Sequence, residues 1–188
     1  MVVYVDVIWD FQNAWIPVFH HEADRAAYIG RLRNNIETSL KRFRSDYVVG
    51  RFFAVGPSTG EMCNALRPEF GRTMELIAIT NLNILCATCE TEVVNFPGIN
   101  EVLISRTTDR ADVLAVIRMF RSSLQGRKNI LLIAGDWDFV STVTTLIEIG
   151  AYVMVAKPGT NSARNLYGRK TWIWDYMQMN GGSSPVQT

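Results

Sequence analysis

The sequence predicts an α/β fold: a three-layer α/β/α sandwich around a central, mostly parallel sheet. Three observations carry that expectation. Short apolar runs of strand length recur at residues 2–9, 47–55, 130–134 and 151–156. They are nearly continuous rather than alternating, as in strands covered on both faces. Between them lie segments whose apolar residues recur at helical spacing. Strands alternating with helices form βαβ units, which bring the C-terminal ends of the strands to one edge.

Length and composition bound the rest. The chain has 188 residues, 48% of them hydrophobic and 20% charged, which suits one folded domain. The formal net charge is +1, so any nucleic-acid contact must come from a local patch. The three cysteines, Cys63, Cys86 and Cys89, are too few and odd in number for a disulfide framework. Cys86-x-x-Cys89 has metal-ligand spacing, but only Cys63, His20 and His21 remain to complete a zinc site. We read the pair as small apolar residues ending a strand. The apolar stretch 1–9 is interrupted by Asp6, followed by Asp10 and preceded by no basic region, so no secretory leader is expected. No apolar run reaches the ~18 residues of a membrane span. A soluble, cytoplasmic protein is the expectation.

Taken in order, the first strand runs over 2–9 and leads into Asp10-Phe11-Gln12-Asn13, with Pro17 breaking regular structure beyond it. Ala26, Ile29, Leu32, Ile36 and Leu40 give a helix over 22–43. Arg25, Arg31, Arg33, Lys41, Arg42 and Arg44 form its solvated face. Residues 47–55 are a second strand and 56–60 a loop. A second helix is expected over 69–80, with Met74, Ile77 and Ala78 inward, then a third strand over 84–87. Pro97-Gly98 suggests a hairpin or loop within 92–104, and 102–105 a short edge strand. Thr108 or Asp109 would cap a helix reaching Leu124, with Val113, Ile117 and Phe120 buried. The strand 130–134 follows, then a helix over 138–148 with Gly150 as its cap, and a strand over 151–156. A turn at 157–160, a short helix over 162–167 and a short strand over 171–174 complete the domain, which spans 1–179. Residues 180–188 read as a disordered tail. Trp172-Ile173-Trp174 is expected in packing or an oligomer contact.

Four acids fall at equivalent places. Asp10 ends the first strand, Asp136 and Asp138 follow the strand 130–134, and Asp112 lies in the first turn of the helix before it. If the two strands are neighbours at a switch point, these carboxylates come together at the edge where such sheets bind ligands. Crowded carboxylates repel unless a cation compensates, and oxygen donors suit Mg²⁺ or Mn²⁺. Asn13, three residues after Asp10, can orient a carboxylate or a water. Aspartates also cap helices and favour their first turns, which accounts for any one of these acids singly.

The motifs Asp10-x-x-Asn13, Ala111-Asp112-Val113-Leu114 and Ile133-Ala134-Gly135-Asp136-Trp137-Asp138-Phe139 resemble, in order and spacing, the signatures of NYN domains of the PIN-like nuclease superfamily. Ile8-Trp9-Asp10-Phe11-Gln12-Asn13 is most similar to the meiosis-regulator and limkain-type branch. The resemblance reaches from the first strand to Leu166. It implies a PIN-like fold and a Mg²⁺- or Mn²⁺-dependent endoribonuclease acting on single-stranded RNA. It assigns metal and catalytic roles to Asp10, Asp112, Asp136 and Asp138, with Asn13 in support. The alternative is an RNA-binding or protein-interaction module of the same fold without useful activity. Two features depart from the family pattern: Trp137 stands where a small residue is usual, and Arg106 and Arg110 stand near the third motif in place of a lysine.

Arg106, Arg110, Lys157, Arg164, Arg169 and Lys170 are candidate phosphate contacts. Trp15, Trp137 and Tyr167 are candidate stacking faces for unpaired bases. Expected partners are single-stranded RNA and either a second copy of the chain or a larger host protein carrying RNA-binding modules; RNA granules are the expected place of action. A receiver domain lacks its acidic pair here, and a haloacid-dehalogenase phosphatase would carry Asp136-x-Asp138 first in its domain.

Overall fold

The computed structural model describes residues 1–79, 83–86, 91–96, 99–105, 110–160 and 162–186, with the backbone alone described within 78–110. Six strands form one sheet, all parallel. They are β1 (Val3–Asp10), β2 (Tyr47–Pro57), β3 (Glu75–Ile79), β7 (Asn129–Ile133), β8 (Tyr152–Lys157) and β9 (Thr171–Ile173), in the order β3-β2-β1-β7-β8-β9. A second sheet, antiparallel, is built from β4 (Asn83–Cys86), β5 (Thr91–Phe96) and β6 (Ile99–Ser105). The helices are α1 (Glu22–Phe43), α2 (Glu61–Leu66), α3 (Arg110–Leu124), α4 (Phe139–Glu148) and α5 (Trp174–Met177). None of them is long and apolar enough to cross a membrane.

The side-chain period of two divides β1 between two cores. Val5, Val7 and Trp9 face α1 and α5, in a core that also takes Leu32, Ile36, Trp172 and Trp174. Ile8 faces the opposite way, into a core closed by α3 and α4 with Leu114, Met119, Phe139 and Val143. The three-layer sandwich follows directly. Trp172 and Trp174 are fully buried, so this motif is packing. In α1 the buried stripe begins at Ile29, and Ala26 is exposed. Glu22 and Asp24 in its first turn and Lys41 and Arg42 in its last complement the helix dipole. Arg33 leaves the solvated face. Its guanidinium donates to the carbonyls of Thr73, Val49 and Gly50 at 2.7–2.9 Å, joining α1 to the edges of β2 and β3.

Several expectations are corrected. The helix expected over 69–80 is not formed by its described residues, 69–79. A 3₁₀ turn at Arg67–Glu69 leads to β3, which pairs in parallel with β2 from Phe53↔Glu75 to Pro57↔Ile79. Glu-Leu-Ile-Ala-Ile is apolar enough for either form; an open sheet edge beside β2 decides it. The expected third strand belongs to the antiparallel sheet instead of the central one, and the 102–105 strand is the end of the seven-residue β6 paired with β5. The caps proposed at Thr108 and Asp109 lie outside the described residues, as does Cys89. The α3 stripe is rotated: Ala111, Asp112, Leu114, Ala115 and Met119 are buried, while Val113, Ile117 and Phe120 are half-buried. Residues 162–167 form turns, not a helix. The tail expected to be disordered folds back along the edge: Val186 N donates to Thr171 O at 2.8 Å, Ser183 N to Ser39 Oγ at 2.9 Å and Trp172 Nε1 to Ser183 O at 3.2 Å. Gly182 permits this path. Its φ is +62°, and a Cβ there would meet Ser39 Oγ at 2.4 Å.

One buried acid fixes the far end of the sheet. Between Val5↔Val49 and Val7↔Phe52, Gly50 and Arg51 together oppose Asp6, a β-bulge. Asp6 is 1% exposed, and its carboxylate accepts Arg51 Nε at 3.0 Å and Arg127 Nη1 at 3.2 Å, with a further bond from Arg51 Nη2. Burial pushes the carboxyl up, but the hydrogen bonds from Arg51 and Ser122 and the charge of Arg51 outweigh it and hold it below 3.8. A depressed carboxyl contributes stability above its unfolded value and loses it as pH falls through the folded one. We predict that Asp6→Asn destabilises the fold at neutral pH by about 3 kcal/mol. In urea unfolding, the gap between the two proteins should narrow as pH drops below 3.8. A pH-independent gap would contradict this.

Candidate metal centre

The strand order reverses direction between β1 and β7. From β1 the chain moves to β2 and β3 on one side, then returns through α3 to β7 and β8 on the other. Parallel pairing from Asp6↔Ile130 to Trp9↔Ile133 brings both C-terminal ends out together. Loops leaving a reversal point diverge and leave a crevice. Asp10 ends one strand there, and Gly135-Asp136-Trp137-Asp138 follows the other.

Among the described residues, the crevice gathers Asp112, Asp136 and Asp138, with one carboxylate oxygen from each lying within 4.8 Å of the others. Asp112 is buried on the first turn of α3, Asp136 half-exposed and Asp138 exposed. Three like charges at this spacing repel, and a cation among them removes the repulsion. The donor set is oxygen only, which fits a hard divalent cation such as Mg²⁺ or Mn²⁺. Capping does not explain Asp138, since it precedes α4 without a side-chain capping bond. Instead its N–H donates to Asp136 Oδ1 at 3.2 Å, which holds the two acids in one turn.

Asp10 stands outside that trio, fully buried at the end of β1. Its Oδ1 accepts Gln12 N at 3.0 Å and its Oδ2 accepts Asn13 Nδ2 at 2.9 Å. The backbone closes the same turn, with Ala14 N donating to Asp10 O at 3.1 Å. Asn13 therefore orients the Asp10 carboxylate. The loop beyond it is pinned by two buried indoles: Trp9 Nε1 donates to Ala14 O at 2.7 Å and Trp174 Nε1 to Trp15 O at 2.8 Å. A cleft of about 370 Å³ opens beside the acids, lined by Asn13, Gly135, Asp136, Trp137, Ser162 and Ala163. Gly135 lines it at close quarters: a Cβ there would come within 3.3 Å of both Asn13 O and Pro158 Cδ.

The proposed RNA contacts divide. Trp137 is 70% exposed beside the acids and Trp15 is 64% exposed across Asn13 from them. Arg164 is exposed in the loop just after Ser162 and Ala163. Lys157 is not a surface cation: it is 8% exposed, donates to Ala163 O at 2.9 Å and lies under the Tyr167 ring at 4.0 Å. It fixes the 162–167 loop that forms one wall of the cleft. Arg169 and Lys170 are at the opposite edge of the sheet. Because β9 runs parallel to β8, residues before Thr171 lie beside the start of β8, where Arg169 N reaches Val153 O. Lys170 Nζ sits over the Phe43 ring at 5.3 Å. Arg106 lies outside the described residues, and the side chain of Arg110 does as well. Sequence reasoning missed Ser162 and Ala163, which no periodicity marks; a hydrogen bond from Ala163 N to Gly135 O, 2.8 Å, brings them to the site.

No family model matches the chain, and no curated protein does. Among solved structures, a protein of unknown function from Vibrio parahaemolyticus is similar, with a TM-score of 0.52 and 14% identity over 88% of this chain and 87% of that one. A mutant Sir2 homologue in complex with 2'-O-acetyl ADP ribose matches with a TM-score of 0.39 and 8% identity over 93% and 90% of the two chains. The likeness to the Vibrio protein concerns the fold alone.

The tip of the buried Phe11 ring packs against Gly56, where a Cβ would stand 2.5 Å from Phe11 Cζ. We predict that Gly56→Ala lowers stability by about 2 kcal/mol in urea unfolding, since the core there has no room to give. An unchanged unfolding midpoint would contradict this.

Proposed function

We propose that the protein is a metal-dependent endoribonuclease that hydrolyses phosphodiester bonds of single-stranded RNA. The observation that supports it most is the convergence of Asp112, Asp136 and Asp138 at the reversal point of a parallel sheet. The order of the three NYN-like motifs supports the same reading. In it, Asp112, Asp136 and Asp138 hold Mg²⁺ or Mn²⁺, and Asp10, aligned by Asn13, completes the negative pole of the crevice. When bound, such an ion lowers the pKa of a water and neutralises charge developing on a phosphate.

The chain's own residues divide the remaining work. Asp112, buried in α3, fixes the depth at which a cation sits. Asp138, exposed and making no capping bond, faces the side from which a phosphodiester arrives. Arg164 can neutralise an adjacent phosphate, while the exposed Trp137 and Trp15 offer faces to unpaired bases. A bulky residue between two acids also narrows the entrance, which favours a flexible single strand over a duplex.

Labelled single-stranded RNA should be cut in Mn²⁺ or Mg²⁺ and left intact in EDTA. Asp136→Asn should lower cleavage by roughly two orders of magnitude while leaving RNA binding within a few-fold. Binding without cleavage in any metal would favour an RNA-binding module of the same fold. Cleavage that persists in EDTA, or unchanged in the variant, would overturn the metal assignment.

A further inference from the structure

A second cleft adjoins the acidic one and shares Asn13 with it. It has a volume of about 520 Å³, within the range of small-molecule sites, and its walls include Trp15, Pro158, Thr160, Asp175 and Gln178. We propose that this cleft is a nucleobase pocket selective for guanine, and that it sets the position of cleavage. The proposal rests on the RNA reading above.

The chemistry of the walls points to the ligand. Among the described residues, no lysine, arginine or histidine lines the cleft, so its described walls are not built for a phosphate. It offers an apolar body and hydrogen-bond acceptors. Trp15 is 64% exposed on its rim, which suits a planar ring. Asp175 is exposed at the start of α5; its Oδ2 already accepts Gly159 N at 2.7 Å, and a carboxylate has further lone pairs to offer. Gln178 is 1% exposed and its Oε1 has no hydrogen-bond partner, while its Nε2 reaches Trp15 O at 3.4 Å. That oxygen is enclosed by protein behind the cleft wall, so the exposed Asp175 carboxylate is the acceptor that a ligand meets.

A flat ring with donors on one edge satisfies such a site. Guanine alone presents a ring N–H beside an exocyclic amine, two adjacent donors that a carboxylate accepts together. Adenine and cytosine pair their amine with an unprotonated ring nitrogen, and uracil flanks its single N–H with carbonyls. Each would turn an acceptor toward Asp175. Because Asn13 lines both clefts, a base held here puts its own phosphodiester beside Asp136.

Binding is measured in EDTA, where cleavage does not enter, with labelled oligouridines carrying one central guanine, adenine or cytosine. The guanine oligonucleotide should bind about tenfold more tightly than the others. Asp175→Asn should erase the preference, and Trp15→Ala should weaken all of them by about tenfold, with circular dichroism confirming that both variants fold. Guanosine monophosphate should compete. Competition as strong as that of the guanine oligonucleotide itself would support the pocket and make the free nucleotide its ligand. Equal affinity for all oligonucleotides, or a preference intact in Asp175→Asn, would overturn the pocket. Cleavage in Mn²⁺ is scored separately. Discrimination lost with cleavage retained counts against the pocket alone, and the reverse against the nuclease reading alone.

Discussion

The parallel pairing of β1 with β7 is the constraint on which the site depends. Both strands are central and buried from Val5 to Asp10 and from Ile130 to Ile133, so their C-terminal ends cannot shift without opening a core. Their register fixes where Asp10 and the Gly135-Asp136-Trp137-Asp138 turn emerge. The connections from these strands leave in opposite directions across the sheet, which opens a crevice between their ends. The acids occupy a gap that the topology makes. The opposite edge is held by another buried carboxylate, Asp6, whose arginine partners close the β2 bulge and tie the sheet to the loop after α3. One strand thus carries a structural acid near its start and a site acid at its end. Only their surroundings separate them: two guanidinium groups for Asp6, a backbone turn and Asn13 for Asp10.

Aromatic packing then carries rigidity from the core to the rim. The Trp9 ring lies 5.7 Å from that of Trp174, tilted against it, and 6.0 Å from that of Phe11, edge to face. Each of the two indoles donates to a carbonyl of the loop after Asp10. That loop supplies Asn13 to both clefts, so the positions of Asp10 and of the exposed Trp15 are set by the same buried cluster.

Much of this was legible in the sequence. The continuous apolar runs identified the strands of the parallel sheet, with β3 as the exception. Strand-end placement singled out Asp136 and Asp138, and the first turn of the helix entering that strand singled out Asp112. What was not legible has physical reasons. Glu75–Ile79 reads equally well as helix or strand, and only the vacant edge of β2 settles it. The departure of Arg169 and Lys170 from the site depends on the direction in which β9 joins β8, which no local pattern encodes. Lys157 looks like a surface cation until the 162–167 loop folds over it. Asp175 and Gln178 lie in a segment too short to show periodicity, and the tail packs through hydrogen bonds to backbone carbonyls and to Ser39 that leave no compositional trace.

The central claim is that Asp112, Asp136 and Asp138 form one divalent cation site. Titration of the purified protein with Mn²⁺, followed by electron paramagnetic resonance without RNA, tests it directly. Wild-type protein should bind one Mn²⁺ per chain that Mg²⁺ displaces, and Asp136→Asn should lose that site while keeping its fold. Mn²⁺ binding that is absent in the wild type, or equal in the two proteins, would contradict it.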